Sequence, residues 1–209
     1  MLKQYFEQGK IEIGLDEAGR GCLFGPVFVA GVVWLDEDPN KDKEFILKDS
    51  KKCSEKKRNI LRKYIEDNAI AYSVVHISEK EIDETNILKA TLKGMHQCID
   101  KIRDNMEIDT ILADGNQFEM YMNDDFECID HYCIIDGDNT YKSIAAASIL
   151  AKTYRDEYII NLVKDNPHLS MYAIEKNKGY GTRIHMDSIK ENGITHWHRK
   201  SFKPCSNYA

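Results

Sequence analysis

The sequence predicts an α/β layer architecture built on a mixed sheet. Three observations carry that expectation. Two apolar, β-branched runs stand close together near the N-terminus, separated by a glycine-rich turn. Strand-like and helix-like stretches alternate after them, and one long helical stretch carries a run of small residues suited to lying against a sheet. A chain of 209 residues with 42% hydrophobic content suffices for one sizeable core, or one core with a small appendage.

The elements follow in order. Alternation in "IEIGLDE", residues 11–17, puts Ile11, Ile13 and Leu15 on one face, and "PVFVAGVVW", residues 26–34, is a second strand pattern. The two read as a pair joined by the turn. "SEKKRNILRKYIEDN" opens on Ser54, a good N-cap, and carries Ile60, Leu61, Tyr64 and Ile65 as a helical stripe. "IAYSVVHIS" reads as a third strand. Residues 78–105 carry Ile87, Leu88, Leu92, Met95 and Ile99 at helical spacings, which predicts one helix with an irregular start. "DTILADG" is a short strand ending on Asp114, and "HYCIIDGD" is another, ending near Asp136 and Asp138. From Tyr141 a long helix follows, whose Ala145, Ala146, Ala147 and Ser148 permit close approach to a sheet. Beyond Pro167 the chain is richer in Gly, His and charge, with a short helix expected in "RIHMDSIKENG".

Composition narrows the function classes. The charged N-terminus lacks the apolar run of a signal peptide and no stretch is long enough to span a membrane, so a cytoplasmic protein is expected. Six scattered cysteines read as reduced thiols, and the spacing in "CIDHYC" matches no common zinc module. A net charge of −6 does not advertise a nucleic-acid binder, yet residues 48–63 hold eight basic residues against two acids. Taken alone, that strip reads as a solvated helix face.

Four acids stand out. Asp16 with Glu17, Asp114, and Asp138 each sit where an apolar strand gives way to a glycine-containing turn. Each singly is compatible with an ordinary turn or cap residue. Together, delivered to the ends of separate strands, they form a set of oxygen donors suited to Mg²⁺ or Mn²⁺ and to phosphoryl-transfer chemistry. Neighbours in a strand point to opposite faces, so the chain is expected to bend at Asp16, or Glu17 to reach the site from the turn. Gly19 and Gly21 make such a bend feasible.

At these residues the chain resembles a known family. "GLDEAGRGCLFGPV", "LKDSKKCSEKKR", "NILKATLKGM", "ILADGN", "GDNTYKSIAAASILAKTYRD", "KGYGTRIH" and "HWHRKSF" are similar, in order and over nearly the whole chain, to segments of ribonuclease HII, the type 2 ribonucleases H. The resemblance implies a ribonuclease H-like mixed β-sheet flanked by helices. Residues 1–165 would form the catalytic core and 166–209 a helical, substrate-gripping segment of the same domain. It implies an endonuclease that cuts the RNA strand of RNA/DNA hybrids and incises duplex DNA 5′ to embedded ribonucleotides, leaving 3′-hydroxyl and 5′-phosphate ends. Asp16, Glu17, Asp114 and Asp138 would hold two Mg²⁺ or Mn²⁺ ions at the scissile phosphate. Gly19, Arg20 and Gly21 would read the 2′-hydroxyl through backbone groups, a role that suits small side chains. Tyr180 would pack on the sugar, although its residue context alone reads as loop packing. Ser50, Lys51 and Lys52 would contact phosphates, as would Arg183 and, more weakly, His185, His198 and Arg199. The implied protein is a monomer with no membrane partner.

Two features depart from the family pattern. Asp136 stands where a lysine is usual, which puts the charge around Asp138 in question, and Cys22 with Phe24 leaves the shape of the turn open. The nearest alternatives are ribonuclease HIII and other nucleases of the ribonuclease H superfamily. Arg20 within Gly-Arg-Gly, Asp138 as last acid and the early first strand favour type HII over type HIII.

Overall fold

The computed structural model describes residues 2–34, 54–123 and 125–209. Ser50, Lys51 and Lys52 lie outside the described residues. In chain order the elements are β1 (Glu12–Ala18), β2 (Val27–Val33), α1 (Glu55–Asn68), β3 (Ala71–Ile77), α2 (Glu79–Glu84), α3 (Ile87–Arg103), β4 (Thr110–Asp114), β5 (Asp130–Ile134), α4 (Lys142–Asp165), α5 (Ile174–Asn177) and α6 (Arg183–Asn192). The sheet has five strands in the order β3-β2-β1-β4-β5. β1 to β3 form an antiparallel meander, while β4 and β5 add in parallel, so the mixed sheet is as expected.

Alternation along β1 explains the two layers. Ile13 and Leu15 pack with Met95, Cys98 and Ile99 of α3 on one face. Ala18 packs on the other, with Ala145 to Ala147 of α4 and Leu61, Tyr64 and Ile65 of α1. Between these sits Gly14. A Cβ there would lie 2.4 Å from the Ser143 carbonyl carbon, so the start of α4 rests on the backbone of β1. This close seating needs both the glycine and the small residues of "SIAAAS".

Local chemistry sets the helix ends. The Ser54 hydroxyl accepts from the Lys57 amide at 3.3 Å, as its place before α1 predicts. Residues 78–105 form two helices rather than one. Thr85 ends α2, and the Asn86 side chain accepts from the Lys89 amide at 2.9 Å to start α3. The apolar spacing was continuous enough to hide this second cap. β5 ends at Ile134, earlier than expected. Asp138 therefore stands on a single 3₁₀ turn, Gly137–Asn139, that leads into α4.

The last part of the chain makes a third cluster. Leu169, Tyr172, Ile174, Ile189 and Cys205 pack against Ile159 and Val163 of α4 and against Leu23 and Phe24 of the glycine turn. Among the described residues no helix is long and apolar enough to cross a membrane.

Candidate active site

Sheet geometry brings the acids together. The parallel register pairs Leu15 with Ala113, so the next residues, Asp16 near the end of β1 and Asp114 at the end of β4, stand side by side on neighbouring strands. Alternation sends both toward α4. On β1, Asp16 shares the face of Ala18, and on β4, Asp114 shares the face of Leu112, which packs on Tyr141 and Ile144. Asp138 arrives on the same side from the turn that opens α4.

Each carboxylate is held differently. Asp16 is 6% exposed and accepts the Glu17 amide at 2.7 Å. Burial raises its carboxyl well above the usual range, the charges of Glu17 and Asp114 push further the same way, and a hydrogen bond from Ser148 of α4 opposes the rise. Asp114 Oδ1 accepts the Gly137 amide at 2.7 Å, which ties the end of β4 to the turn carrying Asp138. Asp138 is 3% exposed and accepts from Asn139 Nδ2 at 3.1 Å. Buried carboxylates that repel one another at strand ends are poor stabilisers, and their cost falls when a cation joins them.

Glu17 corrects the expectation of a bend. β1 pairs regularly with β2 through Ala18, opposite Phe28, so the strand continues past both acids. Alternation assigns Glu17 to the α3 side, where its Oε1 meets Arg20 Nη1 at 3.3 Å. The Arg20 end of that pair is half open to water, so the pair contributes no more than about 1 kcal/mol. Among the described residues, no three His, Cys, Asp or Glu side chains are grouped tightly enough to cage an ion as they stand. The donor set, all hard oxygen on a rigid sheet end, fits Mg²⁺ or Mn²⁺, which keep several waters as ligands.

The glycine turn lies beside the acids. Gly19 takes φ +94°, and the Cys22 amide closes the turn on its carbonyl at 3.2 Å. Cys22 and Phe24 are fully buried, with the Phe24 ring edge-on to His198 at 5.1 Å. These two departures from the family pattern thus fill the core beneath the turn and leave its outer surface to Arg20 and Gly21. Asp136 likewise is exposed, in left-handed backbone at φ 53°, while Asp138 is buried.

Tyr180 is brought to this turn. It is 42% exposed, its hydroxyl bonds to Cys22, and Lys152 Nζ lies 5.6 Å from its ring centroid. Burial, chiefly, raises its phenol above the ordinary value. Arg183 is almost wholly exposed and pairs loosely with Asp187 on α6 at 3.6 Å, and no contact links it to the acids. His185, His198 and Arg199 are not surface groups as expected. All three are fully buried, which removes them as direct phosphate contacts. In the described part of the basic strip, Arg58 and Arg62 are half-buried in ion pairs with acids of α1 and α4, and Lys63 alone, paired with Asp67, faces water.

Two polar groups of the site were not foreseen as such: Ser148, expected only as a packing residue, and Lys152. They stand one turn apart on α4, Ser148 on Asp16 and Lys152 under Tyr180, with Lys152 Nζ held by Asp156 at 2.8 Å. The signal was available as an i, i+4 pair that starts at the end of the small-residue run, but that run reads first as packing.

Sheet order and the helix seated on β1 are those of the ribonuclease H-like fold. The solved ribonuclease H2 of Pyrococcus horikoshii OT3 superposes with a TM-score of 0.70 at 21% identity, covering 94% of this chain and 96% of that one. A Bst ribonuclease HIII, solved in complex with Mn²⁺, superposes at 0.72 with 18% identity over 95% of this chain and 69% of that one. At those identities the likeness speaks for the fold. The family model for ribonuclease HII matches residues 13–205, and ribonuclease HII of Parabacteroides distasonis is 48% identical over 202 residues, 97% of this chain and 94% of that one. The chain belongs to the ribonuclease HII family, whose activity is that of a ribonuclease H, an endonucleolytic phosphodiester hydrolase acting on RNA/DNA hybrids.

Proposed function

We propose that this chain, beyond cutting the RNA strand of hybrids, incises duplex DNA 5′ to a single embedded ribonucleotide by metal-ion-assisted hydrolysis. The observation that carries the reading is the placement of Asp16, Asp114 and Asp138 on one face, next to a turn whose exposed glycine, Gly21, has nothing within 4 Å of the position a Cβ would take. An open glycine beside a carboxylate cluster leaves room for a ribose to reach backbone groups.

Asp16, Asp114 and Asp138 would hold two divalent cations, Mg²⁺ or Mn²⁺, and Glu17 would join them by leaving its pairing with Arg20 on the other face of β1. Such ions, when bound, supply positive charge at the scissile phosphate and lower the pKa of water. The protein's own part is orientation. Ser148 and the Glu17 amide fix the Asp16 carboxylate, and the Gly137 amide fixes Asp114. Backbone groups of Gly19, Arg20 and Gly21 would hydrogen-bond the 2′-hydroxyl, which both donates and accepts. Tyr180, half exposed above Cys22, would pack on the sugar, and Lys152 beneath it adds positive charge on the approach of the backbone.

Ser50, Lys51, Lys52 and Arg183 would contact phosphates farther along the duplex, and residues 166–209 would grip it. We read the protein as a cytoplasmic monomer. The test is hydrolysis of a hybrid with Mg²⁺, with Mn²⁺ and in excess chelator. The reading expects 3′-hydroxyl and 5′-phosphate ends with either ion. Cutting that persists in chelator, or 2′,3′-cyclic phosphate products, would refute it.

A further inference from the structure

Two arginines lie beneath the glycine turn with no exposed surface at all. Arg155, on α4, donates from Nε to the Pro26 carbonyl at 3.1 Å, from Nη1 to Lys178 at 2.7 Å and from Nη2 to Phe24 at 3.0 Å. Arg199 donates from Nε to the Gly25 carbonyl at 2.9 Å and from Nη1 to the Arg20 carbonyl at 2.9 Å. Every acceptor is a backbone carbonyl, and four of the five belong to residues 20–26. Among the described residues neither guanidinium is ion-paired with a carboxylate.

This is an expensive arrangement. A buried cation without a counter-ion is strongly disfavoured, and an apolar replacement often matches or exceeds the stability of such a group. Arg199 bears a further cost, because its Nη2 is buried with no hydrogen-bond partner. Burial lowers its pKa only to about 10, so it stays charged at neutral pH. Stability alone does not explain why charge is kept here. A planar fork of fixed donors supplies something an apolar core lacks, which is a defined position for each carbonyl it holds.

The surrounding bonds show what is being positioned. Leu23 donates to the Gly179 carbonyl at 2.8 Å, Gly25 to Trp197 at 2.8 Å, and the Arg199 amide to Leu23 at 2.9 Å. The turn is thereby laced to the segment that carries Tyr180 and to the C-terminal segment. Gly19 completes the seat, since a Cβ there would fall 2.1 Å from Arg155 Nε.

We propose that Arg155 and Arg199 are positioning residues for discrimination of ribose, holding the carbonyls of residues 20–26 from the buried side so that the Gly19–Gly21 backbone and Tyr180 keep one fixed relation to the acids. This deepens the ribonucleotide reading above and rests on it. Arg199→Lys and Arg155→Lys each keep the charge and lose the fork. The expected result is a fall in kcat on a single-ribonucleotide duplex of about a hundredfold, the scale of a small misplacement, with KM for the duplex and Mn²⁺ affinity close to wild type. Ile99→Ala, in the α3 cluster away from the turn, serves as a control for stability loss and should leave kcat nearly unchanged below its melting range.

Wild-type kcat in both lysine variants, or a loss that Ile99→Ala reproduces at equal thermal stability, would overturn the proposal. A second measurement needs no variant. In wild-type protein the Leu23 and Gly25 amides should exchange with solvent only through global unfolding, as core amides do, and exchange through local opening would overturn the clamp. If the wild type fails to incise ribonucleotide-containing duplexes, the functional reading fails, while the exchange result still decides whether the turn is clamped.

Discussion

At the scale of single residues, the two glycines of the turn separate folding from function. Gly19 combines φ +94° with contact against Arg155, so Gly19→Ala should lower stability by about 1–3 kcal/mol. Gly21 has open space where a Cβ would go and no left-handed φ. Gly21→Ala should therefore leave the thermal midpoint within about 2 °C of wild type, a shift below that of 1 kcal/mol, while sharply reducing cleavage. A melt and a cleavage assay on each variant check the contrast. Asp16→Asn should abolish cutting without lowering the stability of the metal-free protein, because it removes a buried charge already opposed by Glu17 and Asp114. The acids themselves were legible in the sequence, since charge at the end of an apolar strand is conspicuous. The direction of Glu17 was not, because a bend and a straight strand have the same residues, and only the β2 register through Ala18 decides between them.

At the scale of elements, caps and buried rings carry the predictions. Asn86 starts α3, so Asn86→Ala should cost about 1 kcal/mol, measured by denaturant unfolding. In the C-terminal segment, His185 Nε2 meets His198 Nε2 at 3.1 Å, and His185 Nδ1 meets the Tyr180 carbonyl at 3.0 Å. Burial lowers both imidazoles, and the neighbouring His185 helps bring His198 to about 3. A histidine depressed in the folded state contributes stability that is complete above its unfolded value of about 6.5 and is lost as pH falls toward the folded value. Stability should thus decline below pH 6.5, by up to about 1.4 kcal/mol per pH unit for each such group. His198→Asn should flatten that decline even though it lowers the midpoint at pH 7, as thermal melts across pH 4–8 would show. Helix α1 and its Ser54 cap could be read from the sequence, as could the seating of the alanine run. The break before α3 and the burial of His185, His198 and Arg199 could not. Charged and histidine-rich tails usually face water, and nothing local in "HWHRKSF" reveals the carbonyls waiting beneath the turn.

At the scale of the whole molecule, distant segments meet to build the site. The mixed sheet, and the placement of acids where separate strands give way to turns, could be anticipated from strand patterns alone. The order β3-β2-β1-β4-β5 and the wrapping of residues 166–209 onto Leu23 and Phe24 depend on long-range packing that no short window records. The central claim is that one 2′-hydroxyl, read beside the carboxylate cluster, licenses cutting. Two duplexes that differ only in that hydroxyl, incubated with the protein and Mg²⁺ and mapped to the nucleotide, test it most directly. The account predicts incision immediately 5′ to the ribonucleotide and none in the all-DNA duplex. Comparable cutting of both, or none of either by a folded enzyme that cleaves hybrids, would contradict it.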